Sequence, residues 1–297
     1  MPDICFWNKC DNKCVMCTNP PEFSKASPIG NYDLRTQIAK FKAYMSGAGD
    51  IYRAGNGRLD YISITGGEPT MHPRFLSLLY YIRKSVPLSH ITLLTNGRRL
   101  GDASFFKKFI KIAVQPFSVA VPLHAADTSN FEKITGIKGS FAQSLAGLDN
   151  LLSFFPGPVD IRVVIHRMNI NLLGEIIDFI QARWGRKKNL RVVFIHYEIE
   201  GMSSVNSRKV GLRLPVSAAK LMSCLKALGG LHFELYHYPL CVLDPKLRRY
   251  ARITLPDDER VYTAKCSGCS LRKKCLGLMK EYYSSYGDGE LKPIRKK

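Results

Sequence analysis

Residues 61–97, YISITGGEPTMHPRFLSLLYYIRKSVPLSHITLLTNG, decide the fold. Residues 61–65 and 91–95 are short runs rich in Ile, Leu, Thr and Tyr, which reads as two strands. Between them, residues 73–85 space their apolar side chains for one face of a helix, and Pro73 suits a first helical turn. Strand, helix and strand in this order make a βαβ unit with parallel strands. The same alternation continues on both sides. Further strands are expected at residues 4–7, 117–123, 159–166 and 190–196, and helices at 33–45, 141–155, 172–184 and 216–228. After Asp102, Phe105, Phe106, Phe109 and Ile110 share one helical face and supply the third crossover. Right-handed crossovers keep the helices on one side of a twisting sheet, so six βα units curve into a partial (β/α)6 barrel of the α/β class. The loops after the strands then share one rim, where such barrels carry their chemistry. Near Leu231 the rhythm stops and a Cys-, Lys- and Arg-rich tail begins, which divides the chain into residues 1–230 and 231–297. No internal repeat or low-complexity segment is present.

Hydrophobic residues at 45% and charged residues at 23% give enough apolar material for a core and exclude a disordered chain. The first residues lack the apolar core of a signal peptide, and no apolar run reaches the length of a membrane span. A cytoplasmic protein with no membrane association is the expectation, and its nine cysteines, an odd number clustered at the two ends, point to metal ligation before disulfides. Lys and Arg outnumber Asp and Glu by 44 to 24, a formal charge of +20, with basic clusters at 98–99, 186–188, 248–249, 272–274 and 295–297. These are either solvated faces or a surface for an acidic partner: nucleic acid, an acidic peptide or an acidic electron-transfer protein.

Cys10, Cys14 and Cys17 stand as C-x3-C-x2-C in the loop after the first strand, before the turn residues Asn19, Pro20 and Pro21. Three thiolates on one short loop can converge on one centre and leave one coordination position open. A partial zinc site and three unrelated thiols are the alternatives. With CDNKCVMC at residues 10–17 and GGEP at 66–69 after the second strand, the chain resembles the radical S-adenosylmethionine superfamily over most of its length. The resemblance implies a four-iron, four-sulfur cluster on Cys10, Cys14 and Cys17, whose open iron chelates the amino and carboxylate groups of S-adenosylmethionine. An electron from the reduced cluster then cleaves the sulfonium, and the 5′-deoxyadenosyl radical abstracts hydrogen from carbon. It further implies flavodoxin or ferredoxin as the electron donor. Gly66 and Gly67 would let backbone approach the methionine moiety, with Pro69 closing the motif, and Glu68 would accept hydrogen bonds from its ammonium. Met16 occupies the family position whose backbone contacts adenine, or is packing. Asn96 ends the third strand as a cofactor contact or as part of a simple Asn-Gly turn. His124, His166 and His196 end predicted strands and are expected to converge on the rim, facing substrate or cofactor, with Asn169 and Glu198 as further candidates.

In the tail, Cys241, Cys266, Cys269 and Cys275 form C-x24-C-x2-C-x5-C. The segment CSGCSLRKKC at 266–275, followed by Gly277, resembles the auxiliary-cluster region called SPASM or, in its shorter form, Twitch. No cysteine follows Cys275, so the resemblance implies one auxiliary four-iron, four-sulfur cluster, fully ligated by four thiolates and serving electron transfer and structure. A structural four-cysteine zinc site is the rival. Cys5 is expected in the first strand and Cys224 as a core thiol.

The runs PLHAADTSNFEKITGIKGSF at 122–141, VVIHRMN at 163–169 and YPLC at 238–241 are similar to maturases of His-Xaa-Ser peptide systems. A ribosomally made peptide is therefore the expected substrate. With the first cysteine of the cluster loop at position 10, leader recognition is expected to fall to this surface or to a partner maturase or leader-binding protein. RNA or a nucleotide-derived small molecule is the competing substrate class, although no interleaved aromatic and basic pattern of an RNA-binding module is present. A non-catalytic iron–sulfur protein is the third reading.

Overall fold

The computed structural model describes residues 3–47 and 61–295, so the last two residues of the basic run 295–297 lie outside the described residues. Seven strands pair in chain order: β1 (Asp3–Trp7), β2 (Tyr61–Gly66), β3 (His90–Leu94), β4 (Phe117–Pro122), β5 (Val159–Ile165), β6 (Leu190–His196) and β7 (Phe233–Tyr236). Every neighbouring pair is parallel. Between them run α1 (Leu34–Met45), α2 (Phe75–Ser85), α3 (Ala103–Ile112), α4 (Thr128–Thr135), α5 (Ser140–Phe154) and α6 (Leu173–Trp184). Asp33, Asp102 and Asp127 cap α1, α3 and α4 by accepting the backbone N–H three residues on, at 3.0, 2.6 and 2.9 Å.

The six anticipated strands are all present, and β7 adds a seventh beyond residue 230, where the rhythm had been expected to stop. Its four residues, FELY, are too short to show a period and follow the turn at Gly229 and Gly230. The anticipated helix 216–228 is divided at Cys224 into Leu214–Ser223 and Leu225–Leu228.

The two faces of the sheet differ in kind. Ile62, Ile64, Leu93, Val119, Val121, Ile161, Val163, Ile165, Val192 and Phe194 are fully buried against the helices. The alternate positions form an inner face on which Tyr61, Thr65, Leu94, Pro122, Arg162, Val164, Arg191 and Tyr236 stay partly exposed. At its lower end Tyr61, Thr92, Ser118 and His90 form one hydrogen-bonded chain, with links of 2.6, 2.7 and 2.8 Å. Beyond β7, the short antiparallel pair β8 (Arg260–Val261) and β9 (Leu278–Met279) leads into helix Lys280–Tyr286. That helix returns to the barrel: the Leu214 N–H donates to Tyr282 Oη at 2.9 Å, and the Tyr286 and Tyr197 hydroxyls meet at 3.1 Å.

Helix α5 lies directly on the turn after β3. Ser144 Oγ donates to the Asn96 carbonyl at 3.1 Å, and Asn150 Nδ2 to that of Leu100 at 2.8 Å. A Cβ at Gly147 would stand 2.0 Å from the Gly97 carbonyl oxygen. Gly147→Ala is therefore expected to lower stability by about 1–3 kcal/mol through overpacking, measured by urea unfolding, with helix content unchanged.

Candidate active site

The cysteine loop after β1 is gripped from four directions. The N–H groups of Lys13 and Val15 donate to the carbonyls of Thr135 and Ile134, at the end of α4, at 2.8 and 3.0 Å. Beyond β6, helix α7 (Gly201–Val205) sends the Ser203 N–H to the Cys17 carbonyl at 3.1 Å, and Asn206 Nδ2 reaches the Val15 carbonyl at 2.9 Å. From the turn after β3, Arg98 Nη1 donates to the Asp11 carbonyl at 2.6 Å, to Asp11 Oδ2 at 3.0 Å and to Asn12 Oδ1 at 3.0 Å. Asn96 Nδ2 adds a bond to Asp11 Oδ1 at 2.6 Å, and Asn19 Nδ2 ties the loop's far end to the Gly66 carbonyl at 2.9 Å. Cys10 is exposed, Cys14 and Cys17 are partly buried, and the Asn12 N–H donates to Cys10 Sγ at 3.4 Å. Burial raises the Cys14 and Cys17 thiols, with repulsion from Cys17 and Cys10 adding at Cys14. A cationic iron core would reverse this preference and draw the thiolates out, so the donor set fits an iron–sulfur cluster with one position left open. Asp11 and Asn206 were not singled out from sequence, where Asn19 read only as a turn residue and Arg98 only as half of a basic pair.

The GGEP segment follows β2 and lies against the end of β1 and the start of the cysteine loop. What approaches Gly66 and Gly67 is the chain itself: a Cβ at Gly66, where φ is +142°, would lie 2.3 Å from the Trp7 carbonyl oxygen, and one at Gly67 would lie 2.4 Å from that of Lys9. Glu68 is the expected ammonium acceptor. Its carboxylate is buried and already holds four protein donors: Oε1 takes the Thr70 N–H at 3.0 Å, Thr70 Oγ1 at 2.6 Å and Thr95 Oγ1 at 2.6 Å, and Oε2 takes the Asn96 N–H at 2.6 Å. Pro69 is buried at the start of the following 3-10 turn. Met16 turns its side chain into the apolar core.

The four tail cysteines, Cys241, Cys266, Cys269 and Cys275, line one pocket with Pro239, Leu240, Tyr262, Leu271, Leu291 and Pro293. The N–H groups of Leu240 and Gly277 donate to Cys275 Sγ at 3.3 and 3.4 Å. Burial first, and the neighbouring thiols second, raise Cys241 and Cys275. A single zinc ion would draw its sulfurs to about 2.3 Å from one point. Four thiols lining one pocket, with two N–H donors aimed at the Cys275 sulfur, are a donor set that fits an iron–sulfur cluster or a zinc ion.

The sequence profile of the Radical SAM superfamily matches residues 4–180, which include the cysteine loop, GGEP and the strands β1 to β5. The chain belongs to the radical SAM superfamily. A probable GTP 3′,8-cyclase of Methanocella arvoryzae is 29% identical over 181 residues, covering 61% of this chain and 52% of that protein. The GTP 3′,8-cyclase of Petrotoga mobilis is 27% identical over 204 residues, covering 67% and 56%. The chain thus spans about half the length of the curated relatives it matches. Among solved structures, Streptococcus suis SuiB bound to precursor peptide SuiA aligns with a TM-score of 0.57 at 15% identity, over 78% of this chain and 48% of that one, a likeness of fold alone.

Within this radical SAM barrel the three strand-end histidines do not converge. The His124 and His166 rings stand 6.5 Å apart, both buried, with His124 stacked on Phe131. His196 belongs to the helix-facing side with Val192 and Phe194, packed among Tyr197, Tyr238 and Tyr282 with Nδ1 on Ser217 Oγ at 2.9 Å. An even number of residues separates His196 from the buried Val192 and Phe194, which fixes its side. Asn169 is a bracket: its Nδ2 donates to the carbonyls of Val164 and His124 at 2.9 and 3.2 Å, and Oδ1 accepts the His166 N–H at 2.9 Å. Glu198 faces His237 Nε2 at 3.4 Å.

Two outcomes follow from these placements. Glu68→Ala would strand two N–H groups and two hydroxyls in a buried place, so a loss of at least about 3 kcal/mol in urea unfolding is expected, not a selective loss of cofactor affinity. Burial lowers His124 and His196 from 6.5 to about 3 and His166 and His237 to about 4. Below pH 6.5 the unfolded chain therefore binds more protons than the folded one, and the stability that these neutral rings contribute is lost as pH falls toward 4 and then 3. In urea titrations across that range, His124→Phe should reduce the slope of stability against pH by up to about 1.4 kcal/mol per unit.

Proposed function

We propose that this chain is a radical SAM enzyme that abstracts hydrogen from a ribosomally made peptide, within a barrel that runs through β7 (Phe233–Tyr236), past the expected boundary at residue 230, and an auxiliary-cluster region beyond it. Cys10, Cys14 and Cys17 would hold the catalytic four-iron, four-sulfur cluster. Bound there, cluster and S-adenosylmethionine supply the electron and the 5′-deoxyadenosyl group that removes a hydrogen atom. Asp11, Asn96 and Arg98 fix the loop that carries these cysteines, and Thr65, Leu94, Pro122 and Val164 offer the partly exposed wall on which cofactor and substrate would lie. Cys241, Cys266, Cys269 and Cys275 would hold one auxiliary cluster closed to substrate, because four thiolates meet four irons. An acidic flavodoxin or ferredoxin suits the charge of +20 as donor.

The observation that carries the peptide reading is the charge on the inner face. On β5, β6 and β7 that face presents two carboxylates, Asp160 and Glu234, and two guanidiniums, Arg162 and Arg191, of which Arg191 is paired with both carboxylates at 2.7 and 3.2 Å. A polyphosphate would meet one spare cation and two carboxylates there, whereas a peptide brings little charge to neutralise. The competing reading, a nucleotide-derived substrate, is favoured by the relatives named GTP 3′,8-cyclase.

Anaerobically reconstituted protein is expected to hold about eight irons. Replacing Cys10, Cys14 and Cys17 together by Ala should leave about four and abolish 5′-deoxyadenosine formation. Stoichiometric zinc in the tail would overturn the auxiliary cluster. For the substrate, deuterium should move into 5′-deoxyadenosine from a labelled peptide encoded beside this gene. Transfer from labelled GTP or RNA, with none from peptide, would move the assignment to nucleotide chemistry.

A further inference from the structure

Arg162 lies in the middle of β5 with its side chain on the inner face, because Ile161 and Val163 on either side are buried against the helices. Its register partners on the two flanking strands are Pro122 of β4 and Val193 of β6, neither of which has a side-chain acceptor. The Arg162 Nε is shielded from solvent and has no hydrogen-bond partner among the described residues, while the residue as a whole keeps some exposure to the inner face. The other charges nearby are satisfied. Arg191 makes a two-pronged contact with Asp160 at 2.8 and 2.7 Å and reaches Glu234 at 3.2 Å. Glu234 also receives Arg252 at 2.9 Å and the Tyr236 hydroxyl at 3.1 Å.

A guanidinium with a buried, unpaired N–H carries a desolvation cost that an arriving acceptor relieves. We propose that Arg162 is a substrate-binding residue that receives the carboxylate of an acidic side chain on the peptide. This rests on the peptide reading above and adds to it the chemistry recognised. Arg presents Nε–H and an Nη–H as a planar fork matching the two oxygens of a carboxylate. One unpaired positive charge balances one carboxylate, and the carboxylates of Asp160 and Glu234 close by disfavour a multiply charged anion. Pro122 and Val193, flanking the fork, keep competing donors away and reduce local screening by water.

The test uses the full-length, cluster-loaded protein with S-adenosylmethionine present. The probes are two acetylated and amidated tripeptides, Ala-Glu-Ala and Ala-Gln-Ala, with binding followed by saturation-transfer NMR on the peptide. The Glu peptide should bind about tenfold more tightly than its Gln counterpart. That preference should vanish in Arg162→Gln and return in part in Arg162→Lys, which keeps the charge without the fork. Equal binding of both peptides to the unaltered protein, or a preference that survives in Arg162→Gln, would overturn the assignment. Iron content and S-adenosylmethionine affinity are measured on each variant. A tenfold fall in cofactor affinity in Arg162→Gln would mean that the anion is the cofactor's own carboxylate, and would overturn the proposal too. Arg162-dependent binding of GTP, with none of peptide, would do the same in favour of a nucleotide. Failure of the unaltered protein to form 5′-deoxyadenosine would refute the radical reading instead, and that measurement is independent of the peptide comparison.

Discussion

Two backbone hydrogen bonds, from the Gly67 N–H to the Trp7 carbonyl at 2.6 Å and from the Glu68 N–H to the Lys9 carbonyl at 2.8 Å, are the constraint on which the rim depends. They join the start of the cysteine loop to the turn after β2 so closely that no side chain fits at Gly66 or Gly67. From there the connection closes on itself. Glu68 holds Thr95 and Asn96 after β3, Asn96 and Arg98 hold Asp11, and Asp11 lies in the cysteine loop where the circuit began. Hydrogen bonds to an ionised group contribute about 1.5–3 kcal/mol each, and a closed ring of them resists displacement at any one member. The geometry of three thiols on an otherwise irregular loop is thus set by three strands at once.

The sheet separates stability from chemistry by its pleat. Its helix-facing positions are mostly Ile, Val, Leu and Phe and are buried, whereas the inner positions mix apolar residues with Thr, Ser, His, Asp, Glu and Arg, most of these polar ones in partnered chains. Parallel sheets of this kind are usually covered on both faces. Here the inner face is polar and partly exposed, which suits a chamber whose occupants are a cofactor and a substrate. The tail is not an independent body on this sheet, since Tyr282 and Tyr286 dock it against Leu214 and Tyr197. That contact holds the tail cavity in a defined relation to the barrel, as electron transfer between two centres would need.

The proteins similar to this chain differ in the molecules their names give: GTP 3′,8-cyclases among its relatives, and SuiB bound to precursor peptide SuiA among structures of like fold. Fold therefore carries little information about substrate, and the distinction must come from the charges and shapes lining the chamber. In this chain Arg191 is held by Asp160 and Glu234, and Arg162 lies between a proline and a valine with its Nε unpartnered among the described residues.

By itself the sequence determined what is local. C-x3-C-x2-C, GGEP, the tail's four cysteines and six strands with their crossovers are patterns of near neighbours, and near-neighbour spacing survives folding. The aspartate caps of α1, α3 and α4 are of the same kind. The seventh strand was beyond this reach because four residues hold no period. Only the tertiary structure decided which partner each polar side chain meets. Glu68 became a brace because β2 and β3 pair in a register that brings Thr95 and Asn96 onto its carboxylate, and the glycines became a seam because β1 runs alongside them. His196, expected beside His124 and His166, went to the opposite face because its side follows from residue parity along β6, and Arg162 was left unpaired because of what stands opposite it on β4 and β6. Cross-strand neighbours are distant in the chain, so register and pleat assign them, and neither can be read from one strand alone.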